Sequence, residues 1–143
     1  MLEQMKALAR AKNMCVMATV GDGKPHCSLM AYIMDDDCRD IYMFTPRKTQ
    51  KYRNLMDNKT VSLLIDNRGE ASRRQTRALT VYGECETVSA PEKKQQVLAR
   101  FIAIHPHLKD FVLQNGIALL CIKVSAFLLL DGPSQSHFIE FTR

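Results

Sequence analysis

The sequence has no tryptophan, only six glycines and five prolines, and no long uninterrupted apolar run. Its most apolar stretch, Ile117 to Leu130, is broken by Lys123 and Ser125, and Met1 to Lys6 has no apolar core. Neither a membrane-spanning helix nor an export leader is expected. The five cysteines (Cys15, Cys27, Cys38, Cys85, Cys121) are odd in number, scattered and free of any CxxC pair, which argues against a disulfide framework and against a zinc site. A reducing, cytoplasmic setting fits that pattern. No GxGxxG follows the first apolar run and no GxxxxGK[ST] occurs, so neither a dinucleotide-binding fold nor a P-loop is indicated. Repeats and low-complexity tracts are also missing.

What remains is an ordinary folding chain. Hydrophobic residues at 46% and charged residues at 24% suit a globular protein, and 143 residues suit one domain spanning 1–143. A net charge of +5 leaves room for an anionic partner: a phosphate-bearing cofactor, nucleic acid or an acidic substrate.

Leu2, Met5, Leu8 and Ala9 recur at helical spacing. Met14 to Val20 then reads as a strand, Gly21-Asp22-Gly23 as a tight turn, and His26 to Met34 as the returning strand. After the polar Asp35-Asp36-Asp37, which reads as a solvated connection, Ile41 to Thr45 is a third strand. Thr49 can cap a helix carrying Tyr52, Leu55 and Met56 on one face. Thr60 to Asp66 is a fourth strand, apolar enough to predict that it is central and covered on both faces. A polar loop from Asn67 to Thr76, with Arg68, Arg73 and Arg74, leads to a fifth strand, Arg77 to Val88. Ser89 before Pro91 predicts a capped helix burying Val97, Leu98, Phe101 and Ile102, followed by a further turn through Leu108 and Phe111. The long run Ile117 to Asp131 closes the order, with a short pairing from His137 to Phe141. Such strand-dominated spacing predicts a mainly β architecture, a barrel with peripheral helices, because closure removes exposed sheet edges.

The most informative segment is Phe44-Thr45-Pro46-Arg47-Lys48-Thr49-Gln50-Lys51. It leaves a strand and enters a helix with two hydroxyls, an amide side chain and three cations. Unpaired N–H groups at a helix start favour an anion, and Thr45, Thr49 and Lys51 add directional donors and charge. A solvated basic helix start is the plainer alternative.

Met17-Ala18-Thr19-Val20, Asp22 to His26, Ile41 to Thr45, Lys51-Tyr52-Arg53-Asn54-Leu55 and Val61 to Ile65, in this order and spacing, resemble the pyridoxamine 5′-phosphate oxidase-like FMN-binding split barrels. The resemblance is closest over residues 14–66 and weaker from Gly83 to Val88. It implies a six-stranded antiparallel split barrel that forms a homodimer with FMN at the interface. It also implies that Thr45, Thr49, Gln50 and Lys51 hold the phosphate, that Phe44 belongs to the cofactor site, that Ser28, Leu29 and Met30 run beside the ring system, and that Arg77 reaches the flavin or its phosphate. In the oxidases proper, arginines often stand at the places of Ser28 and Gln50, and a Trp-containing tail recognises the vitamin B6 substrate. This chain lacks all three, so B6 synthesis is not expected.

The resulting expectation is an FMN-dependent oxidoreductase passing electrons from a reduced nicotinamide or small reductant to an unknown acceptor. The alternative is a non-catalytic module on the same barrel that stores flavin, haem or a deazaflavin. Nucleic-acid binding by the Arg68 to Arg77 loop is disfavoured because that loop has no aromatic residue for stacking. Cys27, beside the flavin strand, reads as a buried structural thiol rather than a redox partner, and Cys15, Cys85 and Cys121 read as core. His105 and His107 flank Pro106 without a third ligand at familiar spacing, so no metal is expected.

Overall fold

Asp22 and Gly23 both adopt positive φ, 53° and 73°, the conformation that a two-residue hairpin turn requires. They join β1 (Met14–Gly21) to β2 (Lys24–Ala31) in the register Met17↔Ser28. The computed structural model describes residues 1–70 and 75–142, so Arg73 and Arg74 of the basic loop lie outside the described residues. Around the hairpin the order is α1 (Leu2–Ala11), β1, β2, β3 (Ile33–Met34), β4 (Asp40–Pro46), α2 (Gln50–Asp57), β5 (Thr60–Asp66) and β6 (Arg77–Thr87). Then follow α3 (Pro91–Ile104), a 3-10 turn (Pro106–Leu108), α4 (Lys109–Val112), β7 (Ile117–Asp131) and β8 (Gln135–Glu140).

The strands form one antiparallel sheet in the order β2-β1-β5-β6-β7-β4-β3. One edge of the long β7 pairs with β6. Its other edge is divided between β4, which pairs with residues 117–123, and β8, which pairs with residues 126–131. The two ends of the path, β2 and β3, are separated only by Tyr32, so one stretch of chain borders the sheet at both ends and curls it into a split barrel. Tyr32 anchors this corner three times. Its N–H donates to Asn13 O (3.0 Å), its hydroxyl donates to Ala9 O (2.6 Å), and its carbonyl accepts from Nε2 of the buried His105 (3.0 Å).

The expected six strands are present, with two short additions. The run His26 to Met34 is cut at Tyr32, which spends its polar backbone groups on the corner, and the final pairing is a six-residue strand, β8. The inner face carries Met17, Leu63, Ile65, Leu79, Val81, Phe127 and Leu129, all fully buried, and α1 covers one end with Met5 and Ala9. Replacing Phe127 with alanine, at the centre of β7 and edge-on to Phe141, is expected to cost about 3–5 kcal/mol of stability in urea unfolding.

A second cluster forms where Val97 and Phe101 of α3 pack on Ile33, Tyr42, Phe44, Leu119 and Cys121. Here the expectation for β5 is corrected. Its Val61, Leu63 and Ile65 are buried, but Ser62, Leu64 and Asp66 are half-buried. The strands covered on both faces are β4 and the first half of β7, because α3 lies over these and not over β5. Ser89 does not cap α3: the helix starts at Pro91, with Ala90 before it and no side-chain cap. The proline itself presets the first turn.

Cys15, Cys85 and Cys121 are buried as expected, and burial pushes their thiols up to about 12, 12 and 11. Cys27 is exposed, contrary to the buried reading. It pairs with Ala18 on the outer face of β2, which ends the sheet path.

That outer face is unusually apolar. Register places Leu29, Val16, Leu64, Thr80, Leu128 and Phe138 in one row across six strands. Leu29 is 71% exposed and Phe138 57%, and Leu130 and Tyr82 are exposed on the same face. An apolar band of this continuity marks an interaction surface. Among the described residues no helix is long and apolar enough to cross a membrane.

Candidate cofactor site

Three residues separate the end of β4 from the start of α2, and Thr49 joins the two. Its hydroxyl donates to Pro46 O (2.9 Å) and accepts from Tyr52 N (3.3 Å), the N-cap arrangement expected from the sequence. The strand end and the first helical turn are thereby fixed against each other, and the N–H groups of Gln50 and Lys51 precede the first helical hydrogen bond, from Arg53 N to Thr49 O.

Thr45, next to last in β4, is fully buried, and its Oγ1 has no hydrogen-bond partner among the described residues. Leaving a hydroxyl buried and unpaired costs about 1–3 kcal/mol. Native proteins rarely accept that cost without a use for the group. Thr45 lines a cavity of about 240 Å³ together with Phe44, Pro46 and Lys51. Met14, Leu29, Met30 and Ala31 of the first hairpin form its second wall. Phe101, His107, Leu108 and Phe111, from α3, the 3-10 turn and α4, form its third. Lys51 is half-buried, and desolvation pushes its ammonium below the usual lysine range. An anion placed there would relieve that penalty. The cavity is therefore apolar along most of its walls, with one cation, Lys51, at the β4–α2 end, and the occluded hydroxyl of Thr45 lies in the wall there. This arrangement suits a ligand with a flat apolar body and an anionic tail.

Of the residues singled out from the sequence, Leu29, Met30, Phe44, Thr45 and Lys51 meet at this cavity. Ser28 adjoins it on β2, paired with Met17. Thr49 stands behind it as the cap. Gln50 points elsewhere: its Nε2 donates to Asn54 Oδ1 (2.8 Å), and its Oε1 accepts from Arg53 (2.9 Å). Arg77 does not line the cavity. It is ion-paired with Asp131 (3.1 Å) at the end of β7 far from Pro46. The third wall was not singled out from the sequence. Leu108 and Phe111 were legible as a helical turn, but their folding over β4 depends on contacts distant in sequence. No group of three or more potential metal ligands occurs among the described residues. His105 is engaged with Tyr32, and its ring lies 6.0 Å from that of His107.

The sequence matches the pyridoxamine 5′-phosphate oxidase family profile over residues 1–129. None of the curated proteins matches it. Among solved structures, a heme-binding protein from Mycobacterium smegmatis is similar with a TM-score of 0.85 and 16% identity, over 97% of this chain and 57% of that one. General stress protein 26 from Bacillus anthracis is similar with a TM-score of 0.74 and 17% identity, over 98% of both chains. A FAD-binding protein from Mesorhizobium loti also gives 0.74, at 16% identity, over 89% of this chain and 91% of that one. At these identities the likeness is one of fold. The family match, which covers most of the chain and agrees with the curled antiparallel barrel, establishes that this chain belongs to the pyridoxamine 5′-phosphate oxidase family.

Proposed function

We propose that the chain binds FMN in the β2–β4–α2 cavity, as one half of a homodimer, and serves as an oxidoreductase acting on a small substrate. The observation that carries this reading is an otherwise apolar cavity lined at one end by the half-buried Lys51 and by Thr45, whose buried hydroxyl has no partner among the described residues. Thr45 would donate to a phosphate oxygen, Lys51 would offset its charge, and the first N–H groups of α2 would complete the cradle. Ser28, Leu29 and Met30 would lie along the ring edge, and Phe44, Phe101 and Phe111 would exclude water. FMN supplies the hydride and electron transfer when bound.

The homodimer is part of the same reading. A cavity of about 240 Å³ falls short of the roughly 300–1,000 Å³ typical of sites for drug-sized ligands. Leu29 belongs both to its wall and to the exposed apolar row. A second copy seated on that row would cover the mouth and enlarge the site. Arg77 stands outside the cavity of its own chain, so any contact it makes with flavin would be across that interface.

A haem reading rests on one observation, the imidazole of His107 in the same cavity, a side chain that iron accepts as an axial ligand. The visible absorbance spectrum of the purified protein, with added FMN and separately with added haem, distinguishes the two. Shifted flavin bands on a species of dimer mass support the proposal. A sharpened Soret band with no response to FMN replaces flavin by haem, and a protein that ignores both removes the cofactor reading.

A further inference from the structure

Asn54 lies on α2 but serves the barrel wall. It is 3% exposed. Its Nδ2 donates to Oγ1 of the fully buried Thr19 on β1 (3.0 Å), and its Oδ1 accepts from Gln50 in the first turn of α2 (2.8 Å). A chain of three polar side chains thus runs from the sheet to the residue between the cap Thr49 and Lys51. The barrel leaves room for it at one position: a Cβ at Gly21 would lie 2.0 Å from Asn54 Oδ1 and 2.7 Å from its Cγ. Gly21 is not among the positive-φ residues. It is therefore glycine for the space that Asn54 takes, and not for an unusual backbone.

We propose that Asn54 is a positioning residue for the phosphate end of the cavity: through Thr19 and Gln50 it sets the angle at which α2 leaves β4, and Gly21 admits it. This rests on the flavin reading and deepens it. It also gives Gln50 a part in the site without direct contact with the ligand. A helix start displaced by a fraction of an ångström would loosen the hold of Lys51 and the leading N–H groups on a phosphate, and would leave the ring pocket between β2 and α3 nearly unchanged.

The test compares FMN with riboflavin, which has the same ring but no phosphate, by quenching of flavin fluorescence. Wild type is expected to prefer FMN. Asn54→Ala should reduce FMN affinity about tenfold while changing riboflavin affinity less than about twofold. Gly21→Ala, which drives a methyl into Asn54, should do the same, and the double variant should be no worse than Asn54→Ala alone because the clash has gone. Thr19→Val, close in shape, replaces Asn54→Ala if that variant fails to fold. Equal loss for both ligands, or no loss for either, would make the network merely structural and overturn the inference. Additive effects of the two substitutions would overturn the role given to Gly21. A wild type that binds neither ligand removes the flavin reading and this inference with it.

Discussion

Leu29→Glu is expected to prevent the proposed dimer from forming and to abolish tight FMN binding. Leu29 is the most exposed large apolar side chain of the described chain, at 71%, so a glutamate there costs the isolated subunit almost nothing in folding. Against a second copy the same carboxylate would be desolvated without a partner. Such a charge costs about 3 kcal/mol or more, or at least roughly 100-fold in the dimer dissociation constant. The row from Leu29 to Phe138 crosses the outer face through half-buried Val16, Leu64, Thr80 and Leu128, a continuous surface for a partner to cover. Light scattering on the variant should give the monomer mass with an unchanged far-UV circular dichroism spectrum. A Leu29→Glu protein that remains dimeric and binds FMN normally would place the interface elsewhere.

Lys51→Ala should weaken FMN binding by about 1.5–3 kcal/mol, the range for a hydrogen bond to a charged group, or roughly 10- to 100-fold. Riboflavin binding should barely change. Desolvation lowers the Lys51 pKa in the free protein, whereas a bound phosphate favours the charged form and raises it again. The group that binds phosphate is thus the protonated one. FMN affinity should be full at neutral pH and decline as pH rises through the lowered lysine value, at a pH below that at which an exposed lysine titrates. In Lys51→Ala this alkaline decline should disappear, and riboflavin should not show it even with wild type. Calorimetric titrations at several pH values measure both effects. A pH profile unaltered by the substitution would exclude Lys51 from the phosphate site.

Local signals in the sequence carried far. The Asp22-Gly23 hairpin, the Thr49 cap and the order of the six main strands were legible because each depends on neighbouring residues: a positive φ, a hydroxyl three residues before an N–H, an alternation of apolar side chains. The β4–α2 wall of the cavity was legible from its own hydroxyls and cations, and the β2 wall only through the family resemblance. Its third wall was not, since Phe101, His107 and Phe111 reach β4 only after some sixty residues of intervening chain. The break at Tyr32 was hidden for the same reason. Nothing around it resembles a turn, and its partners Ala9, Asn13 and His105 are set by tertiary packing. Cys27 was misread as buried because residue type says nothing of strand position, and β2 proved to end the sheet path. Ser89 failed as a cap because Pro91 presets the helix start by itself. The carboxamide of Asn54 is the clearest case of a role invisible in sequence, since Thr19 lies thirty-five residues away.

The most direct test of the account is an equilibrium titration of the purified protein with FMN, followed by quenching of flavin fluorescence, with the solution mass determined on the same sample. Saturation is expected at one FMN per chain on a species of dimer mass. A monomer that binds FMN fully would contradict the shared site, and a dimer that leaves FMN fluorescence unchanged would contradict the cofactor.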